Sequence, residues 1–440
     1  MRTRYFFLII LLLSLPLQFA QINKVANSDS LNFTYSKLNI NNISTYVYNN
    51  GYLDCNYQEG DCGFYYPKGS SKCLLFHSGF LWATKIFGEY YLGGSNYRTG
   101  LIPGKISEYG CEEETDYALH RVYRVRRDYK TSDLSSEILD GEGTYEEIYE
   151  RYNKDWMEWP VYRGAPFEDI DSNGLYDPLI DVPGYPGADQ TCWYVANDNP
   201  CKPTLFLYST KIIGMEMQFT TWAYDTDNLK NTMYRSYKLI NKSNKFLDSI
   251  YISIWVDSDI GKFDDDRVGC DKNLNLGYAY NSVQEDEIYG YSIPAIGFRL
   301  EQGPIVEGLP LDKAIFNRRQ IVGKKNLEMT SFYYYCKDYD PPNNIGLTVF
   351  DYEKYNHLLM QGLNPLTGEP VIDPTTNQPT KYWLSGDPIT NEGWIDNNSI
   401  NGEDRRFGIN SGPFTMAPGD TQEIIYSINI GHGADNKQSI

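Results

Sequence analysis

Residues 249–256 read SIYISIWV, and Ile250, Ile252, Ile254 and Val256 share one parity. Strand side chains alternate between two faces, so this spacing predicts a β-strand that points those four residues into a core. Upstream, residues 233–240 form a second β-prone run, separated from the first by a turn signal, NKSN, at 241–244. Further back, Met215, Met217, Phe219 and Thr221 alternate with Glu216, Gln218, Thr220 and Trp222, which predicts another strand with one mainly apolar face. Downstream, residues 295–300, 331–336 and 422–430 continue the series, the last of them after a Pro418-Gly419-Asp420 turn. The N-terminal part, 22–143, is built of aromatic and β-branched runs at 44–48, 63–66, 73–86 and 117–125, broken by glycine.

Only two helices are indicated. Thr144 offers an N-cap with Glu147 three residues on, and Tyr145, Ile148, Tyr149 and Tyr152 fall on one face of a helix that ends before Pro160. The second is residues 352–361, before Gly362. The pattern predicts a mainly β fold of antiparallel β-sandwich or jelly-roll domains, with two short helices and a long Asp/Gly/Pro-rich loop. The expected divisions are a signal peptide at 1–20, an N-terminal β domain at 21–143, a helix and loop connection at 144–202, and a β-sandwich domain at 203–440.

The long loop carries the most specific chemistry. Residues 164–189 read GAPFEDIDSNGLYDPLIDVPGYPGAD and present oxygens at Asp169, Asp171, Asn173, the Leu175 carbonyl, Asp177 and Asp181. Ligands at alternate positions around a glycine are the pattern of a calcium loop, in which several hard oxygens wrap one ion. Position twelve is Ile180 rather than Glu, and Pro166 and Pro178 oppose flanking helices, so the stretch is not an EF-hand. It is similar to the helix-free D-x-D-x-N-G loops of extracellular repeat modules. The competing reading is a metal-free turn, since Asp, Asn, Gly and Pro also build ordinary loops. A weaker metal candidate follows the isoleucine strand: Asp257, Asp259, Asp264, Asp265 and Asp266, in a spacing that fits no standard loop.

Residues 1–20 carry Arg2 and Arg4, an apolar run at 5–15 and Ala20, the pattern of a secretory signal peptide. The run is short of the roughly 20 residues that span a bilayer, and no later stretch approaches that length, so no membrane span is expected in the mature chain. Cleavage there leaves 37 basic against 58 acidic residues, a formal charge of −21. Such a chain repels phosphate backbones, and nucleic-acid binding is not expected. The one basic run, HRVYRVRRDYK at 120–130, reads as a solvated face, with a phosphate or acidic-glycan contact as the other reading.

Eight cysteines, all outside residues 1–20, fit disulfides in an oxidising compartment. Eight allow 105 pairings. Local spacing favours Cys192 with Cys201 and, second, Cys55 with Cys62, whereas Cys270 and Cys336 can equally be buried thiols. No CxxC occurs, which argues against a zinc knuckle. His77, His120, His357 and His432 are isolated, with neither an HExxH pair nor a G-x-S-x-G elbow, so no catalytic residue is assigned.

Several phrases taken together, GAPFEDIDSNGLYDP (164–178), PGYPGADQ (183–190), DRVGCDKNLNLGYAYN (266–281), PAIGFRLEQGPIVEG (294–308), DPTTNQPTKYWLSGDP (373–388) and SGPFTMAPGDTQE (411–423), resemble the N-terminal region of large extracellular proteins of bacteria that use type IX secretion. The resemblance covers most of the mature chain and implies export across the outer membrane, further β-sandwich modules and a C-terminal sorting domain. The sequence ends at GADNKQSI without either, so a fragment or another destination is expected. The leading expectation is a secreted, calcium-stabilised β-sandwich at the cell surface or outside the cell, with the periplasm as the alternative location. Its expected role is structural, adhesive or surface-binding, with extracellular glycans or proteins as partners. The alternative is a carbohydrate-binding or glycan-processing protein, since two suitably placed carboxylates suffice for a glycosidase.

Overall fold

In the isoleucine strand both parities are buried, which the alternation alone did not predict. Ile250, Ile252, Ile254 and Val256 face the interior at 1% exposure or less, while Tyr251 and Trp255 on the opposite face are also covered. The computed structural model describes residues 33–107, 110–111, 117–199, 210–336, 349–397 and 402–440; the expected signal peptide and Cys201 lie outside them.

The N-terminal part supplies β1 (Tyr35–Leu38), β2 (Ser44–Tyr48), β3 (Phe64–Tyr65), β4 (Cys73–Ile86), β5 (Glu89–Gly94), β6 (Ile102–Pro103) and β7 (Tyr123–Arg126). Helices α1 (Ser135–Leu139) and α2 (Tyr145–Met157) follow, and then β8 (Gln190–Asn197), β9 (Met215–Ala223), β10 (Thr232–Asn241) and β11 (Leu247–Ser258). The C-terminal part adds β12 (Asp266–Asp271), β13 (Leu276–Asn281), β14 (Ala295–Gln302), β15 (Ser331–Cys336), α3 (Val349–Met360), β16 (Arg405–Met416) and β17 (Thr421–Gly431).

These strands form two large sheets. The first has eight strands in the order β1-β2-β3-β4-β11-β16-β15, with β5 also on β4. The second has nine in the order β7-β8-β9-β10-β17-β14-β13-β12, with β6 on β8. All pairings within both are antiparallel. Their inner faces share one core, in which Phe80 and Trp82 of β4, Ile252 and Ile254 of β11 and Ile409 of β16 meet Phe219, Tyr237, Ile424 and Tyr426 of the second sheet. Phe80 stacks on Tyr237 across the interface at a centroid distance of 4.0 Å. The chain is therefore mainly β, of the β-sandwich class.

The divisions expected at 143 and 202 do not separate the sheets. β4, from the N-terminal part, lies beside β11, and β7 and β8 join strands from beyond 203, so residues 32–440 form one compact unit. Antiparallel pairing between segments far apart in sequence leaves no pattern that a local reading can detect.

Helix α2 starts as predicted. Thr144 Oγ1 accepts the Glu147 amide at 3.3 Å, and the Glu147 carboxylate accepts the Thr144 amide at 2.9 Å. Its buried face is Ile148, Tyr152, Asp155 and Trp156, whereas Tyr145 is exposed. The expected helix at 352–361 is α3, which packs Tyr352 and Met360 against the outer face of the first sheet. The strand expected at 117–125 begins only at Tyr123.

Two expectations are corrected. The basic run is not a solvated face: Arg124 and Arg126 are buried, because α1 and α2 fold over β7 and bring Glu142 to Arg124 and Glu137 to Arg126. The cysteine pairs also differ. Cys62 is bonded to Cys73, with Cα atoms 5.9 Å apart, because the chain returns from β3 into the start of β4. Cys55 faces Cys62 across a two-stranded ribbon but is a buried thiol, and Cys192 is a buried thiol on β8. Cys270 and Cys336 are also thiols.

Candidate cation sites

The 164–189 segment is anchored before it reaches its acidic tip. Phe167–Glu168 pairs with Val182–Pro183, closing the loop as a hairpin. The indole of Trp159 donates to the Pro166 carbonyl at 2.7 Å, that of Trp156 to the Pro178 carbonyl at 3.0 Å, and the Tyr176 hydroxyl to the Trp156 carbonyl at 2.6 Å. The loop is thereby tied to the end of α2.

Within it, oxygens of Asp169, Asp171 and Asp181 lie within 4.8 Å of one another. Gly174 takes the expected sharp turn with a φ of 77°. The Asp169 carboxylate accepts the amides of Asn173 at 3.0 Å and Gly174 at 2.8 Å, and the buried Asp181 accepts those of Ile170 and Asp177, each at 2.8 Å. Asp177 is turned away from this group and accepts the Leu179 amide at 2.9 Å. The Asn173 side chain donates to Asp171 at 2.7 Å and accepts from the Leu175 amide at 2.6 Å. Three of the four aspartates chosen from the sequence thus converge.

The second candidate takes a different form from the one expected. Asp257, at the end of β11, and Asp259 converge with Asp404, again within 4.8 Å. Asp404 directly precedes β16, whose Arg406 pairs with Asp257 across the sheet. The Arg406 guanidinium lies 3.2 Å from Asp257 and also pairs with Asp404, and the Tyr97 hydroxyl donates to Asp257 at 2.5 Å. Asp266, at the start of β12, is fully buried, and one of its oxygens accepts the Ile260 amide at 3.1 Å. Burial, with Asp257 and Asp404 close by, holds the Asp259 carboxyl well above the usual range, and burial with Asp259 does the same for Asp266.

Asp264 and Asp265 do not join this group. Asp264 pairs with Lys262 at 3.3 Å, and Asp265 accepts from Asn281 at 2.7 Å. Sequence reasoning missed Asp404 because only strand pairing brings it to Asp257. No local signal marked it, since the adjoining RR at 405–406 is one of three such pairs, with 126–127 and 318–319.

Among the described residues, the hydrogen bonds of His357 and His432 go to Ser249, Gln361 and Ser292. Burial pushes His77 and His357 down to about 4, so both are neutral near pH 7. His432 shares a 2.6 Å hydrogen bond with Ser292, with no carboxylate hydrogen-bonded to the ring among the described residues. One cleft of about 390 Å³ lies over β1, β2 and α2, lined by Tyr35, Tyr46, Arg121, Arg124, Glu142 and Asp155, among others. No helix among the described residues is long and apolar enough to cross a membrane. No protein-family model matches the chain, and no curated protein matches it either.

Proposed function

We propose that this protein is an extracellular or cell-surface β-sandwich, stabilised by calcium at the 169–181 loop, with a structural, adhesive or surface-binding role. The observation that carries the reading is the group of exposed Asp169 and Asp171 with buried Asp181, gathered within a hairpin-closed loop. Hard oxygen donors gathered on a short anchored loop suit Ca²⁺. The Cys62–Cys73 disulfide and the charged-then-apolar residues 1–20 support export. Chelation that leaves both thermal melting and protease cleavage within 160–200 unchanged, with no calcium heat in calorimetry, would remove the metal from this reading.

A second reading, carbohydrate binding, is favoured by the 390 Å³ cleft. Its size is that of a small-ligand site, tyrosine rings offer stacking faces, and arginine and carboxylate groups offer paired hydrogen bonds to sugar hydroxyls. Incubation with a polysaccharide panel separates the alternatives. Retention that is lost in Tyr46→Ala, without release of reducing ends, supports binding; release of reducing ends would overturn the non-enzymatic role.

A further inference from the structure

From its geometry we infer a second, internal divalent-cation site formed by Asp257, Asp259, Asp266 and Asp404, distinct from the exposed loop. It is expected to take Ca²⁺ and to tie the end of β11 and the start of β12 to the approach of β16. Three of the four carboxylates, those of Asp257, Asp259 and Asp404, already bring one oxygen each within 4.8 Å of one another. The fourth supplies an independent observation. Asp266 is fully buried, and its Oδ1 has no hydrogen-bond partner, although buried polar atoms almost always have one.

The backbone places Asp266 against the other three. Its Oδ2 accepts the amide of Ile260, the residue after Asp259, and its carbonyl accepts the amide of Glu403, the residue before Asp404, at 3.1 Å. Residue 266 is thus held, through its carboxyl on one side and its backbone on the other, between the two segments that present Asp259 and Asp404. Arg406 reaches Asp257 and Asp404, whereas Asp259 and Asp266 make no ion pair with the described residues. Four carboxyl groups gathered in a largely dry region are compatible with one another as carboxylates only with a cation among them.

The donor set is all oxygen, which excludes ions that prefer thiolate or imidazole. Calcium is favoured over magnesium because Mg²⁺ keeps several waters and demands a near-octahedral shell, whereas crowded, buried carboxylates suit the flexible coordination of Ca²⁺. Tyr97 and Arg406 then act as positioning residues, holding Asp257 through its 2.5 Å and 3.2 Å contacts.

The experiment compares calcium-stripped full-length protein with Asp404→Asn, Asp259→Asn and the loop double variant Asp169→Asn/Asp171→Asn, using calorimetry and bound-metal analysis with CaCl₂ and MgCl₂. The expected result is a binding class that survives in the loop variant, resists MgCl₂ competition and weakens by on the order of 100-fold or more in each of the other two. Terbium luminescence gives a second readout, since the Trp255 ring lies 4.5 Å from that of Tyr97, the residue bonded to Asp257. Terbium emission excited through tryptophan should persist in the loop variant and fall in Asp259→Asn, whose fold is checked by circular dichroism. Unchanged calcium binding and terbium emission in both Asp404→Asn and Asp259→Asn would overturn the internal site. Loss of all binding in the loop variant would also overturn it while leaving the loop reading intact.

Discussion

Replacing Asp54 by asparagine tests a fully buried ion pair in the core. Asp54 and Arg235 are 0% and 1% exposed, and they join the two sheets from inside. The Asp54 carboxylate accepts Arg235 Nη1 at 2.9 Å, Arg235 Nη2 at 2.5 Å and the Thr45 hydroxyl at 2.6 Å, as well as the Ser78 hydroxyl. Asparagine is the appropriate probe because residue 54 has a φ of 65°, which asparagine tolerates and most residues do not. The change removes the negative charge and leaves a buried guanidinium uncompensated. Breaking a buried pair in this way costs about 3–5 kcal/mol, comparable to the roughly 4 kcal/mol Coulomb attraction at 4 Å for an effective dielectric of 20. In a unit of about 400 residues each kcal/mol moves the melting temperature by only about 1 °C, so urea denaturation followed by tryptophan fluorescence is the sharper assay. The double variant Asp54→Asn/Arg235→Met removes both charges and should recover much of the loss. A single variant within about 1 kcal/mol of wild type, or a double variant as unstable as the sum of the singles, would refute the assignment of this pair as a coupled element of the core.

Four further outcomes are expected. Asp169→Ala/Asp171→Ala should lose the calcium-dependent rise in melting temperature with little loss of calcium-free stability, because repulsion in the loop is relieved as ligands are removed; differential scanning with and without chelator checks this. His77 is held near 4 in the folded chain against about 6.5 unfolded, so its contribution is fully present above pH 6.5 and is lost as pH falls toward 4. His77→Phe should therefore gain about 3 kcal/mol on wild type across that window in pH-dependent urea melts, and parallel curves would sink the argument. Non-reducing peptide mapping should find Cys62 linked to Cys73 and alkylatable thiols at Cys55, Cys192, Cys270 and Cys336 after unfolding; reduction of that one bond should cost about 3 kcal/mol in the chain-entropy picture. Thr144→Ala should cost about 1 kcal/mol and speed amide exchange in the first turn of α2, with unchanged exchange there counting against the capping box.

The convergence in the 169–181 loop was readable because its aspartates lie within thirteen consecutive residues, where local spacing plus one glycine limits how they can meet. Asp177, which accepts the Leu179 amide, is not among the three aspartates that converge. The same locality made Thr144 and Glu147 legible as a cap, because both partners sit within one helical turn. Many strands were legible from alternating or β-prone runs, and so was the mainly β class, but β8, β12, β13 and β16 were not anticipated.

Sequence by itself determined these local matters: many of the strands, where α2 begins, and which aspartates share a turn. Tertiary structure alone decided the rest. It set β4 beside β11, buried Arg124 and Arg126 under α1 and α2, directed Cys62 to Cys73, and brought Asp404 to Asp257 across a strand pair. The physical reason is the range of the forces involved. Turn, cap and alternation are set by neighbours a few residues away, whereas strand order is chosen by burial of side chains from segments hundreds of residues apart, and no short window of sequence records that choice.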